Sequence, residues 1–362
     1  MSAEELSALE IQEAWDRRRA GTRRFALTLS VLALALGLSV WLATAIGRMD
    51  LGWGEIAAAF FNKIGLSSFT LDRTGEVVVF HLRLSRAVLA GLVGACLAAA
   101  GVIFQGLLRN PLADPFTIGV STGAAFGAAL LVVLWVEAAL WGLSSLPLGA
   151  LAGALGALMA VLILSREEGR IRQESLVLAG IVVSTFLSAF ISLIKSLDEE
   201  SLSAIVFWIM GSFSGRGWVH VGFLLPYALA GLVLAALNYR ELDILALGEE
   251  QSHYLGVAVS RTRLQLLLAA SLLTAAAVSV SGVIGFVGLV VPHLIRILAG
   301  PSHGRLLVLA ALAGDLTLIW DDVLSRVILP GGQELPVGVV TALLGGPFFF
   351  YLLKTRKGRG VW

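Results

Sequence analysis

RLSRAVLAGLVGACLAAAGVIFQGLLRNPLADPFTIGVSTGA, residues 83–124, carries most of the architecture in one stretch. From Ala87 to Leu107 it is apolar apart from Gln105, long enough to cross the roughly 30 Å hydrocarbon core of a bilayer as a helix. Gly91, Gly94 and Ala98 recur at small-xxx-small spacing, which lets a neighbouring helix approach closely. The run stops at Asn110-Pro111-Leu112-Ala113-Asp114-Pro115, where two prolines bar a continuous helix. A second apolar run starts at Phe116, so the stretch reads as two spans joined by a stiff polar turn.

The rest of the chain repeats the pattern. Of its 362 residues, 57% are hydrophobic and 14% charged, against roughly half and a quarter in a soluble domain. So few charges cannot cover so large a core, and lipid must solvate much of it. Ten apolar spans are expected, at about 25–46, 87–107, 116–136, 147–165, 175–196, 219–238, 264–281, 284–299, 306–326 and 338–353. Backbone groups must pair inside lipid, so the spans are helices, and the chain lacks the short alternating segments of a barrel. The expected fold class is an all-α integral membrane protein. A net charge of +1 argues against nucleic acid as a partner. The lone Cys96 rules out an intrachain disulfide or a multi-cysteine metal site, and no metal or other cofactor is expected in this chain. About two dozen polar residues precede the first apolar run, so no cleavable signal is expected.

With the N-terminus inside, eighteen of the 26 lysines and arginines fall on the inner side, as the positive-inside rule requires. An even number of spans then puts both termini in the cytoplasm. Segments expected are a cytoplasmic tail at 1–24, a transmembrane domain at 25–354 with a cytoplasmic loop at 242–263, and a tail at 355–362. Three outer stretches exceed simple connections. Trp53–Ile64 is amphipathic and suits an interfacial helix. Asp198–Trp218 is too broken by glycine to span and reads as a short helix lying back into the outer mouth. Leu329–Val337, rich in Pro and Gly, should form a rigid turn.

On the inner side, Leu242–Arg263 is a polar interruption holding Asp243, Glu249, Glu250, Gln251, His253, Arg261 and Arg263. Gly248 and Gly256 bracket a helix-length piece whose first turn carries Glu249 and Glu250, favourable against the helix dipole. The chain has four lysines, Lys63, Lys195, Lys354 and Lys357, none in a GxxxxGK[ST] phosphate loop. It therefore cannot bind ATP by that means.

Residues 83–124 resemble the permeases of type II ABC importers, the FecCD-like family that moves ferric siderophores, haem and cobalamin. The likeness lies in the R-x-x-R opening, the QGLLRNPLADP turn and the GVSTGA continuation, joined in order by FWIMGSFSGRGW, LGEEQSHYLGV, SGVIGFVGLVVPHLIR, DDVLSR and ELPVGVVTALLGGPFFFYLL. It implies a permease in a bacterial or archaeal inner membrane that pairs with a second copy. Two separate ATP-binding cassette subunits would bind ATP and magnesium and grip Gly248, Glu249, Glu250, His253 and Gly256. An extracytoplasmic substrate-binding protein would dock by salt bridges to Arg83, Arg86 and Arg326, where the bland alternative is snorkelling to lipid phosphates. Arginine suits such docking because its planar fork pairs with carboxylate through two hydrogen bonds. The resemblance also implies a cytoplasmic gate at Asn110, Leu112, Gln173 and Glu174. A simple helix connection is the alternative for the turn, and the aligned residues differ in type at Gln173 and Glu174. Ser184, Thr185, Ser188 and Ser192 form a polar stripe on the span that lines the family's pathway.

Asp315, deep in the ninth span, offers a different reading. A carboxylate there costs on the order of 3 kcal/mol on insertion scales and must face protein or water. It is either a proton or cation site, which would make the chain an ion-coupled secondary transporter, or a group bonded to Ser or Thr of a neighbouring helix. Asp322 stands four residues before Arg326 and can hold that arginine. His293, beside Pro292, belongs to a family motif whatever the cargo and reads as structural.

Overall fold

The computed structural model describes residues 3–47, 49, 51–63, 73–134, 144–167 and 170–356. Arg48, Ile64, residues 135–136 at the end of the third expected span and 357–362 of the C-terminal tail lie outside the described residues. The expected spans coincide with helices α1 (Ala3–Ala45), α4 (Ser85–Leu107), α5 (Val120–Val133), α6 (Ser145–Leu164), α7 (Gln173–Leu197), α9 (Trp218–Leu237), α12 (Val259–Ser281), α13 (Val287–Ala299), α14 (His303–Val327) and α15 (Val337–Arg356). Among the described residues, six helices are long and apolar enough to cross a membrane on that ground alone. Helices α5, α13 and α15 offer shorter apolar runs. Helix α14 has the length, but Asp315, Asp321, Asp322 and Arg326 dilute it.

α4 is the axis of the bundle. Nearly every residue from Ser85 to Leu107 is buried, because α9, α12, α13 and α14 surround it. Small residues make that possible: a Cβ on Gly94 would fall inside the carbonyl of Gly314, and one on Gly101 inside that of Gly288. α5 and α6 meet in the same way through Gly123, Gly127, Gly149 and Gly153. Gly156, which continues the run of small residues on α6, has nothing within 4 Å. The rim helices turn Leu34, Met159, Ile163, Phe186, Leu229 and Leu343 outward, as a lipid-facing surface requires.

Irregular backbone occurs at the two ends and at one internal break. A short helix, α3 (Arg73–Glu76), and a π-helical stretch, Val77–Leu84, lead into α4, and the latter turns Arg83 inward. Between α12 and α13 the chain unwinds from Gly282 (φ 73°) to Phe286 (φ 68°), so the eighth span is helical only from Val287, three residues later than expected. The break is held from both sides: Ser212 N–H donates to Ser281 O (2.8 Å), and Gln105 Nε2 donates to Leu289 O (3.1 Å). Such unwinding within a bundle is tolerated because protein groups replace the lost helical bonds.

At the end of the bundle expected to face outward, α2 (Trp53–Lys63) buries Ile56 and Ala59 and exposes Trp53 and Phe61, the two-faced pattern expected of it. α8 (Glu199–Ile209) is followed by Gly211, whose φ of 72° turns the chain back against Gly282. The proline-glycine turn is a short 3-10 segment, Pro330–Gly332, pinned by Leu335 N–H to Ser325 O (3.0 Å). At the opposite end, strands β1 (Arg166–Glu167) and β2 (Arg170–Ile171) pair antiparallel just before α7. Helices α10 (Tyr239–Leu245) and α11 (Glu249–Tyr254) occupy the loop before α12.

Candidate functional site

Functional groups gather at both ends of the bundle. At the outer end, Arg83, Arg86 and Arg326 come together around Asp322 and the last turn of α1. Helix C-termini leave carbonyls unpaired, and two of the arginines cap them. Arg83 donates to Ala45 O (3.0 Å) and Met49 O (2.6 Å), and Arg326 to Ile46 O (3.3 Å). Asp322, itself buried, takes Arg86 Nε and Nη2 at 2.9–3.1 Å and Arg326 Nε at 3.2 Å, the latter across the expected i,i+4 spacing. Arg86 Nη1 also meets Glu334 Oε2 at 3.0 Å. The three arginines are each less than a tenth exposed. They do not stand out from the surface; with Arg216 and Glu334 they line one outward-opening cavity of about 420 Å³. The sequence offered no sign of Glu334 as a partner, since 248 residues separate it from Arg86.

At the inner end the proline turn is ordered by its own side chains. Asn110 Oδ1 accepts from Leu112 N–H (2.9 Å), and Asp114 caps the adjoining 3-10 segment, Pro115–Ile118, through Phe116 N–H (3.0 Å). Burial pushes the Asp114 carboxyl up to about 6, against the lowering effect of that bond. Gln173 is drawn to the turn: its Nε2 donates to Leu108 O, and its Oε1 accepts from Arg109 Nη2 (3.3 Å). Glu174, named with it, instead faces solvent, 3.9 Å from Arg172. Asn110, Leu112 and Gln173 thus form one local group and Glu174 stands outside it.

Next to this group, α11 sits between Gly248 (φ 128°) and Gly256 (φ 79°), backbone angles that side chains disfavour. Ser252 fixes α11 to α10, its hydroxyl donating to Ile244 O (3.0 Å) and Gly248 O (2.5 Å). Glu249 is held by Arg263 at 3.1 Å, while Glu250 and His253 are exposed. Asp243 takes the backbone N–H and ring Nδ1 of His303 at 2.8 and 2.7 Å, tying α10 to α14. Burial alone would raise Asp243, but the two His303 bonds outweigh it and leave the carboxyl below its ordinary range. Sequence reading missed the apolar part of this surface. Leu247 (64% exposed), Tyr254 (84%) and Leu255 (59%) stand at the ends of α10 and α11, away from the rim helices.

Within the bundle, Thr185 and Ser188 lie exposed on α7 and Ser184 is half-buried near Gly119. The same helix leaves Leu178, Ile181, Val182 and Phe186 uncovered. Asp315 packs against Gly91 of α4, not against the serine or threonine expected: a Cβ on Gly91 would occupy the position of its Oδ1.

The model of the FecCD transport family matches residues 34–355. The chain is 38% identical over 342 residues to the cobalamin import system permease protein BtuC of Halobacterium salinarum, covering 92% of this chain and 88% of that protein. It is 42% identical over 283 residues to the hemin transport system permease protein HmuU of Yersinia pestis, covering 76% and 83%. Among solved structures, an inward-facing metal-chelate type ABC transporter superposes with a TM-score of 0.79 at 32% identity, covering 90% of this chain and 98% of that one. With helices in the same arrangement and a family match over most of its length, the chain belongs to the FecCD transport family and is a membrane permease of the ABC importer type.

Proposed function

We propose that this permease works as one of two identical copies around a central pathway and imports a ferric siderophore, haem or cobalamin. The cargo reading comes from its relatives, whose names specify cobalamin and hemin. Residues 25–354 form the transmembrane domain in a bacterial or archaeal inner membrane, and the tails at 1–24 and 355–362 lie in the cytoplasm. Two ATP-binding cassette subunits, which bind ATP and magnesium, sit beneath the 242–263 loop. The observation that carries this reading is α11: a short helix with a fixed base and a bare apolar tip, suited to a groove on another protein.

Outside, a binding protein delivers cargo at the cavity of Arg83, Arg86 and Arg326, where its carboxylates exchange with Glu334, a quarter of whose side chain is exposed. The pathway runs beside Ser184, Thr185 and Ser188 of α7, and the turn at Asn110 and Leu112, with Gln173, closes its inner end. Movement of the ATPase subunits displaces α11 and opens that gate, giving alternating access.

Changing Tyr254 and Leu255 together to aspartate puts two charges where apolar contact is needed. Affinity for the ATPase subunit, measured by titration against the purified permease, is expected to fall more than tenfold with the permease still folded. Unchanged affinity would remove α11 as the grip.

A further inference from the structure

Arg263 is the fifth residue of α12 and is buried, although the loop before it is polar and exposed at Glu249 and Glu250. A buried guanidinium needs partners, and this one finds them on two different elements. Its Nη2 meets Glu249 Oε2 on α11 at 3.1 Å, and its Nη1 donates to Ile171 O on β2. These contacts lie 14 and 92 residues away in sequence, and one planar group spans them.

The connection from β2 into α7 gives the bridge its direction. Two residues after Ile171, Gln173 opens α7 and is bonded to Leu108 O and to Arg109, at the base of the Asn110–Pro115 turn. A continuous path of hydrogen bonds and backbone therefore runs from Glu249 through Arg263, Ile171 and Gln173 to Leu108 and Arg109. The bundle supplies the fixed end, since Arg263 is anchored in α12, whose next turns are buried against α4, α6 and α9. Glu249 supplies the other end, more than half exposed at the start of α11.

We infer that Arg263 is a positioning residue that transmits displacement of α11 to the β1–β2 hairpin and the gate group at Gln173. The inference rests on the proposed seating of α11 on an ATPase. Lysine cannot replace arginine here, because a single ammonium lacks the fork that reaches both partners at fixed separation. Loss of the bridge leaves α11 able to bind and to move, while the hairpin no longer moves with it.

The test uses the complete transporter, permease with its ATPase and binding proteins, in proteoliposomes. It compares the unsubstituted chain with Arg263→Gln and Arg263→Lys. In both variants ATP hydrolysis is expected to stay within twofold while cargo imported per ATP falls at least tenfold. Amide hydrogen exchange separates transmission from folding. In the unsubstituted complex ATP changes exchange in both 249–256 and 171–178, and in the variants only 249–256 responds. Arg263→Lys, which keeps the buried charge, carries the test if the glutamine variant does not assemble. An unchanged import-to-hydrolysis ratio, or an ATP response of 171–178 that persists in Arg263→Lys, overturns the inference. Failure of the unsubstituted complex to couple import to ATP would instead refute the transport reading beneath it.

Discussion

Replacing Asp322 by alanine is expected to destabilise the permease by about 3–5 kcal/mol, the scale of removing one partner from a buried ion pair. Asp322 holds both Arg86 and Arg326. Its loss leaves two guanidinium groups buried at the outer end of α4 and α14, with Glu334 still beside Arg86. Asparagine in its place keeps an acceptor but not the charge, so Asp322→Asn should fall between. The thermal unfolding midpoint of the purified permease in detergent measures both. An unshifted midpoint for Asp322→Ala would mean that the cluster is hydrated and contributes little.

A comparable loss is expected of Gly94→Leu. Here the cause is steric. Gly94 and Gly314 lie at the crossing of α4 and α14, and a Cβ on either falls inside the other's backbone carbonyl. Overpacking commonly costs about 1–3 kcal/mol where side chains can shift. At this crossing the obstacle is backbone, so the helices must separate, and the cost should exceed that range. Gly156, with nothing within 4 Å, supplies the control, and Gly156→Leu should change stability little. Folded yield and unfolding midpoint of the pair, compared in one detergent, decide the point. Equal behaviour of the two variants would contradict the packing described.

Much of this was legible in the sequence, for local reasons. The spans emerge from length and apolar content, the turn at Asn110–Pro115 from its prolines, and α11 from the glycines that bracket it. The Asp322–Arg326 pair reflects helical spacing. Contacts between distant residues were not legible. Arg86 and Asp322 are 236 residues apart, and nothing local distinguishes an arginine that awaits a partner from one already bonded inside the protein. The same holds for Arg263, whose carbonyl partner carries no side-chain signature at Ile171. Gly156 fits a small-residue pattern yet meets open space, because the pattern marks where a helix can come close and not which face a neighbour takes. The unwound stretch at Gly282–Phe286 depends on groups from α4 and the 209–215 segment, which no local pattern announces.

The outer cluster and the inner loop also differ in how they are held. Arg83, Arg86 and Arg326 are fixed by several bonds each, whereas α11 rests on Ser252 and Arg263 with an exposed tip. On the proposed function, firmly bonded arginines suit the docking of a binding protein, and the lightly held α11 suits coupling to an ATPase.

ATP-driven import is tested most directly by initial cargo uptake into proteoliposomes containing the permease, with and without its ATPase subunits, before and after ionophores collapse all ion gradients. Uptake that requires the ATPase and ATP and survives collapse of the gradients is the predicted result. Uptake by the permease alone, driven by a gradient and abolished by Asp315→Asn, would contradict it.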